Sequence, residues 1–212
     1  MKAQGFFVTG TDTGIGKTIV STVLAVGLKA HYWKPIQTGS ADGTDSDFVG
    51  RWIGAEKVYP ESYLFPEALS PHLAAKAHNE EIDMQRCLND SLGLPQGTII
   101  EGAGGVLVPI NGSLMMIDVI HALGRAVVLV AGTKLGTINH TLLTLEALNT
   151  RKIPICGVIT VGEENFSSER SIENYGQVPV LGNVSICSSF SESWFQEIYE
   201  NLRFKKSSEQ KI

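Results

Sequence analysis

Cysteine is scarce in this chain: 212 residues include only Cys87, Cys156 and Cys187, far apart and without a CxxC pair. That spacing excludes a disulfide framework and a thiolate metal cluster, and reduced thiols in a cytosolic protein are the simplest reading. Cys156, inside an apolar run, is expected in the core. There is also no stripe of one charge sign. A net charge of −5 with evenly scattered Lys and Arg offers nothing to a nucleic-acid backbone, and the acidic balance argues against an anionic membrane surface. No apolar run approaches a membrane span and no signal-peptide pattern opens the chain, so a soluble, cytoplasmic protein with small-molecule partners is expected. His31, His78 and His121 stand alone without ligand spacing, and no Cys/His or Ser/His/Asp nucleophile set is visible.

What is present is concentrated at residues 10 to 18, Gly10-Thr11-Asp12-Thr13-Gly14-Ile15-Gly16-Lys17-Thr18, directly after the apolar run Gly5-Phe6-Phe7-Val8. Glycines let successive backbone N–H groups converge on an anion, a lysine supplies a point charge to the outer phosphates, and a threonine hydroxyl can join the shell of a magnesium ion. Asp12, Thr13, Gly14, Ile15, Gly16, Lys17 and Thr18 are therefore read as nucleotide-binding. The first glycine falls one place early, so Thr11 holds the usual glycine position. A tight turn with a solvated lysine is the plainer alternative. The apolar strand before the loop and the apolar helix pattern Ile19 to Leu28 after it favour a phosphate loop.

Strand-like runs recur at 5 to 9, 31 to 36, 98 to 101, 126 to 131, 154 to 160 and 178 to 181. Helices are expected after the phosphate loop and over 44 to 54, 82 to 92, 115 to 124, 137 to 151 and 190 to 203. The alternation predicts an α/β fold, a P-loop NTPase-like, mostly parallel sheet with helices on both faces. One catalytic domain spans 1 to 204, and the polar stretch 205 to 212 is expected to be a frayed tail. In such sheets ligands sit beyond the carboxyl ends of the strands.

Those strand ends hold the candidate chemistry. Lys34-Pro35-Ile36-Gln37-Thr38-Gly39 brings a second lysine to the rim of the phosphate loop, which suggests phosphoryl transfer, with both lysines facing solvent. In Thr44-Asp45-Ser46-Asp47, either Asp45 or Thr44 can cap the helix that starts there. Glu101, after Ile99 and Ile100 and before Gly102-Ala103-Gly104-Gly105, is costly to bury unless a cation meets it. Thr18, Asp47 and Glu101 offer three oxygen ligands for magnesium. Lys134-Leu135-Gly136-Thr137-Ile138-Asn139-His140 opens a long helix whose free N–H groups and Asn139 can hold a carboxylate, or whose Thr137 or Asn139 merely caps it. His140 reads as packing or capping.

Taken in order with Ser70-Pro71-His72, these motifs closely resemble the dethiobiotin synthetase family over residues 5 to 160. The resemblance implies a homodimeric P-loop enzyme of biotin synthesis that joins carbon dioxide to 7,8-diaminopelargonic acid, with ATP as co-substrate and Mg2+ as cofactor. It implies that Lys17 and Lys34 are catalytic, steadying the triphosphate and the migrating phosphoryl group, and that Thr18, Asp47 and Glu101 hold the metal. Thr11 and Thr38 would face the diamine. Gly136, Thr137, Ile138 and Asn139 would bind the substrate carboxylate from the neighbouring subunit. The implied chemistry runs through a carbamate and a carbamic-phosphoric anhydride. The chain departs from the family at Gly14, where some members carry an acid, and at Val161, where an adenine-reading asparagine is common. Leu181-Gly182-Asn183-Val184-Ser185 also lacks a Gly-Glu-Ile-Pro type of sequence.

Two other functions share these motifs. A deviant-loop regulatory ATPase would need a lysine five places before Lys17, where Asp12 stands. A catalytically silent nucleotide-binding module would not need Lys34 and Glu101.

Overall fold

The computed structural model describes residues 5–187 and 189–204. The expected frayed tail, 205 to 212, lies outside them. Seven strands form one parallel sheet: β1 (Phe6–Gly10), β2 (Tyr32–Trp33), β4 (Val58–Tyr59), β6 (Ile99–Gly105), β7 (Ala126–Gly132), β8 (Ile155–Val161) and β9 (Val180–Val184), in the order β4-β2-β6-β1-β7-β8-β9. β3 (Ile36–Thr38) and β5 (Tyr63–Phe65) pair separately.

Both faces of the sheet are covered, which is why its strands read as continuous apolar runs rather than alternating ones. Successive residues still divide between two clusters. Phe7, Trp33, Ile100, Val127 and Leu129 join one, and Val8, Tyr32, Ile99, Val128 and Val130 join the other. The second cluster takes in α1 (Lys17–Gly27), α2 (Asp45–Ile53) and α8 (Glu192–Asn201) through Val20, Val23, Leu24, Val49, Ile53 and Phe195. The first takes in α3 (Pro71–Ala77), α4 (Met84–Ser91), α5 (Met116–Leu123), α6 (Thr137–Thr150) and α7 (Phe166–Gly176). Each fully buried aliphatic side chain contributes on the order of 1.5–3 kcal/mol, so the two clusters are the main stabilising term.

Several expectations need correction. The strand expected over 31 to 36 is two strands in two sheets. Pro35 has no N–H for the ladder, and the chain leaves the main sheet there; its carbonyl instead accepts from the Tyr63 N–H at 3.0 Å. The strand expected over 98 to 101 continues through the glycine run, and β6 ends at Gly105. β4, β5, α3 and α7 were not expected at all. α7 buries only Ile172 fully and starts from Asn165, whose side chain accepts from the Ser168 N–H at 3.1 Å, so its apolar signal is faint.

Candidate active site

β1 ends at Gly10, and the chain then turns through the loop into α1. Gly16 is the N-cap of α1 with φ 96°, and no side chain caps the helix, so its first N–H groups are left for a ligand. A Cβ at this position would lie 2.8 Å from Cγ1 of Val161, so both conformation and space require glycine. Lys17, the first residue of the helix, folds back so that its Nζ donates to the Asp12 carbonyl at 2.7 Å. Burial pushes the Lys17 ammonium down to about 8, with Glu101 opposing that shift.

Strand parity assembles the rest. Tyr32 is in register with Ile99, so two residues on, Lys34 comes level with Glu101 on the same face of the sheet. That face carries α1 and α2. Glu101 is fully buried, and its Oε1 accepts from the Thr18 hydroxyl at 3.0 Å and from Lys34 Nζ at 3.2 Å. The Tyr32 hydroxyl donates to Oε2 at 3.0 Å. Lys34 also pairs with Asp45, at the start of α2. Burial alone would lower the pKa of Lys34, but Glu101 and Asp45 outweigh it and hold it above the ordinary lysine value. Burial, then Glu101, raises the Tyr32 phenol well above its ordinary value.

Lys17 and Lys34 were expected on a solvent-facing rim, and this is a correction: they are 7% and 5% exposed. The inward parity of Lys34 follows from Tyr32, and its burial is tolerable because two carboxylates meet it. Of the two expected caps of α2, Thr44 is the one that caps it, with Asp47 as its reciprocal partner. Thr44 and Asp47 form a reciprocal cap, in which the Thr44 N–H and hydroxyl donate to Asp47 Oδ2 at 3.0 and 2.8 Å and the Asp47 N–H donates to the Thr44 hydroxyl at 2.9 Å. Those bonds from Thr44 lower the pKa of Asp47. Asp47 is exposed and is not brought to Glu101, whereas Asp45 reaches Lys34.

The remaining candidates line open space. Thr11, Asp12 and Thr13 border both a cleft of about 1020 Å³ and a smaller one of about 390 Å³. The larger cleft runs from the loop past Gly132 to Leu135 and Val161 to Asn165, reaching Ser185 and Ile186. The smaller one lies between the loop, Gly105 to Val108 and α6. Thr38 ends β3 and lines neither cleft. α6 has Gly136 at its N-cap with φ 98° and no side-chain cap, so neither Thr137 nor Asn139 caps it. Thr137 instead bonds the Gly132 carbonyl, while Asn139 is exposed. His140 borders both clefts. Val161 packs on Gly16 as part of the floor beneath the loop, and the Asn183 amide donates to the Thr160 hydroxyl at 3.0 Å. Sequence reasoning missed Tyr32, and it read Asp45 only as a cap; the alternation Tyr32-x-Lys34 and Ile99-x-Glu101 was the available signal.

The parallel sheet, the glycine-capped helix after β1 and the lysine at its first position define a P-loop nucleotide-binding protein. A ParA family ATPase from Chlorobium tepidum matches with a TM-score of 0.54 at 15% identity over 95% of this chain and 90% of that one, a likeness of fold. A putative plasmid partition protein from Borrelia burgdorferi, bound to AMPPNP, matches with the same score of 0.54 at 12% identity over 94% of this chain and 96% of that one. Residues 4–192 match the family described as AAA domain. The ATP-dependent dethiobiotin synthetase of Paramagnetospirillum magneticum is 45% identical over 85% of this chain and 87% of its own length. That of Lawsonia intracellularis is 43% identical over 91% and 93%. The chain belongs to the dethiobiotin synthetase family.

Proposed function

We propose that this chain is an ATP- and magnesium-dependent dethiobiotin synthetase, a cyclo-ligase acting on 7,8-diaminopelargonic acid and carbon dioxide. The observation that carries the reading is the convergence of Lys17, Thr18, Lys34 and Glu101 at the uncapped start of α1. Two cations and an oxygen-rich cluster beside a phosphate loop suit phosphoryl transfer, which needs positioning and charge neutralisation rather than an enzyme nucleophile.

Lys17 and Lys34 meet the triphosphate and the migrating phosphoryl group. A carbamate formed on one substrate amine attacks the γ-phosphorus through oxygen and ADP departs; the second amine then attacks the carbamate carbon and phosphate departs, closing the ureido ring. Both amines shed protons in becoming the ureido nitrogens. Thr11 and Thr38 face the diamine, and the start of α6 takes the carboxylate through the N–H groups of Gly136 and Ile138 with Asn139, the Thr137 N–H being already given to the Lys134 carbonyl at 3.1 Å.

Magnesium suits the donor set. Among the described residues no three His, Cys, Asp or Glu side chains gather into a metal cluster. A magnesium ion needs no such cage, because it is commonly held by one or two carboxylates with substrate phosphates and water. Thr18 and Glu101 supply two oxygens, and the first turn of α2 supplies the third through Asp47 or Asp45. When bound, the metal neutralises charge on the phosphate oxygens.

A homodimer is supported by apolar side chains exposed around α6, where Leu107, Leu135 and Leu143 are 52%, 107% and 57% exposed. Mixing inactive Lys17→Ala and Asn139→Ala protomers should restore some activity, because hybrid dimers regain an intact site if Asn139 serves its neighbour. Verified exchange without recovery contradicts a shared site. Among the described residues no helix is long and apolar enough to cross a membrane.

The function is tested by incubating the protein with diaminopelargonate, bicarbonate, magnesium and ATP and detecting dethiobiotin by mass. A regulatory ATPase or a silent module would form none.

A further inference from the structure

We infer that Tyr32 is a positioning residue that fixes the Glu101 carboxylate toward the metal. The inference rests on the reading of Glu101 as a magnesium ligand. The two oxygens of Glu101 have different duties. Oε1 receives Thr18 and Lys34, the side chains nearest the phosphate loop. Oε2 receives only the Tyr32 hydroxyl among the described residues. A carboxylate held on one side alone can turn about its terminal bond, which is broad and soft. The phenol removes that freedom.

The sheet makes this possible. Tyr32 lies opposite Ile99, and Glu101 is two residues further along β6 on the same face, about 6.6 Å at strand spacing, within a phenol's reach. Tyr32 and Glu101 are both 0% exposed, so water does not compete for the bond. The Tyr32 ring is clamped in the cluster that holds Val49, Ile53 and Ile99. Groups of this kind, which orient a ligand without touching the metal, commonly change metal affinity 10- to 100-fold when removed.

The test measures binding of the non-hydrolysable analogue AMPPNP by calorimetry with and without magnesium, in the wild type, Tyr32→Phe, Glu101→Gln and the double variant. The readout is the gain in affinity that magnesium brings, which a general structural defect does not select. Tyr32→Phe should cut that gain on the order of tenfold and leave metal-free binding unchanged. Glu101→Gln should abolish the gain, and adding Tyr32→Phe to it should change nothing further. If Glu101→Gln abolishes the gain and Tyr32→Phe retains it in full, Tyr32 has no positioning role and the metal reading stands. If Glu101→Gln retains the gain, both fall together. Should Tyr32→Phe fail to fold, the wild type carrying 3-fluorotyrosine replaces it. A buried fluorine resonance must then move with magnesium and AMPPNP together but not with AMPPNP alone, and must stay still in Glu101→Gln. No such movement overturns the inference.

Discussion

On the phosphate side of the site, Glu101 is completely buried, Lys34 lies between it and Asp45, and Thr18 and Tyr32 complete the carboxylate's bonding. Along the same sheet edge, the far end of the large cleft is bordered by the exposed Glu163 and Glu164, and Val161 there turns its side chain to Gly16. The contrast teaches where this protein is pre-organised. On the proposed function, fixed charges stand ready where charge would migrate, and in a water-poor pocket they are worth more than in bulk solvent. The far end is roomy and has few committed side chains, so, with the proposed nucleotide extending along the cleft, binding should rest on the parts common to every nucleoside triphosphate.

The largest effects should come from the two lysines, and they should differ in kind. Lys17→Ala and Lys34→Ala should each lose 10²-fold or more in turnover, the scale of removing one fixed donor of about 2.7–4 kcal/mol. Only Lys34→Ala should also destabilise the fold, by about 3 kcal/mol or more, because it leaves Glu101 buried without its cation. Lys17 touches a carbonyl, and its removal strands no charge. Equal melting temperatures for the two variants would erase this distinction, and near-normal kcat in Lys34→Ala would remove it from the mechanism.

The acids of α2 come next. Asp45→Asn and Asp47→Asn should both lower activity and raise the magnesium requirement, on the scale of tens-fold for a ligand or its support. The larger change identifies the carboxylate that meets the metal. If it is Asp47, the Thr44 cap opens when the metal binds. Two unchanged magnesium titrations would place the metal elsewhere.

This ambiguity also marks the limit of what the sequence discloses. The phosphate loop was legible because each of its residues has one chemical reason to be there. The helix starting near Thr44 was legible too, and the division of its acids was not: cap and site positions are one or two residues apart, and only the hydrogen bonds of Thr44 separate them. The burial of Lys34 was written in its two-residue spacing from Tyr32, but a lysine after a strand reads as rim until its partners are known. β5 and α7 escaped because three residues, or one buried isoleucine, carry too little apolar signal. The break at Pro35 had a signal that went unused.

A pH effect separates Lys17 from its neighbours. With its pKa held at about 8 against an ordinary 10.5, and the anionic triphosphate preferring the charged form, metal-free nucleotide affinity should be highest below 8. It should then fall as pH rises through that value, by up to about tenfold per unit. The folded pKa is depressed, so the unfolded chain binds the extra proton between about 8 and 10.5, and the ligand-free protein should gain stability as pH rises across that window. Affinity flat from pH 7 to 9 would contradict a buried Lys17.

The smallest effect should be choice of base. A missing hydrogen-bond pair forfeits on the order of 1–3 kcal/mol, so kcat/KM for ATP should exceed that for CTP, GTP or UTP by less than about a hundredfold. A thousandfold preference would mean that backbone near 183 to 187 reads adenine and that the contrast between the two ends is overdrawn.

The most direct measurement of the whole account is a single-turnover reaction with diaminopelargonate, bicarbonate, magnesium and ATP, following dethiobiotin and phosphate together. The account predicts that both appear in equal amounts in the wild type and that both are lost in Lys34→Ala. Phosphate released without dethiobiotin would make the protein an ATPase of another kind, and equal product from Lys34→Ala would show that the buried cluster is not where the chemistry happens.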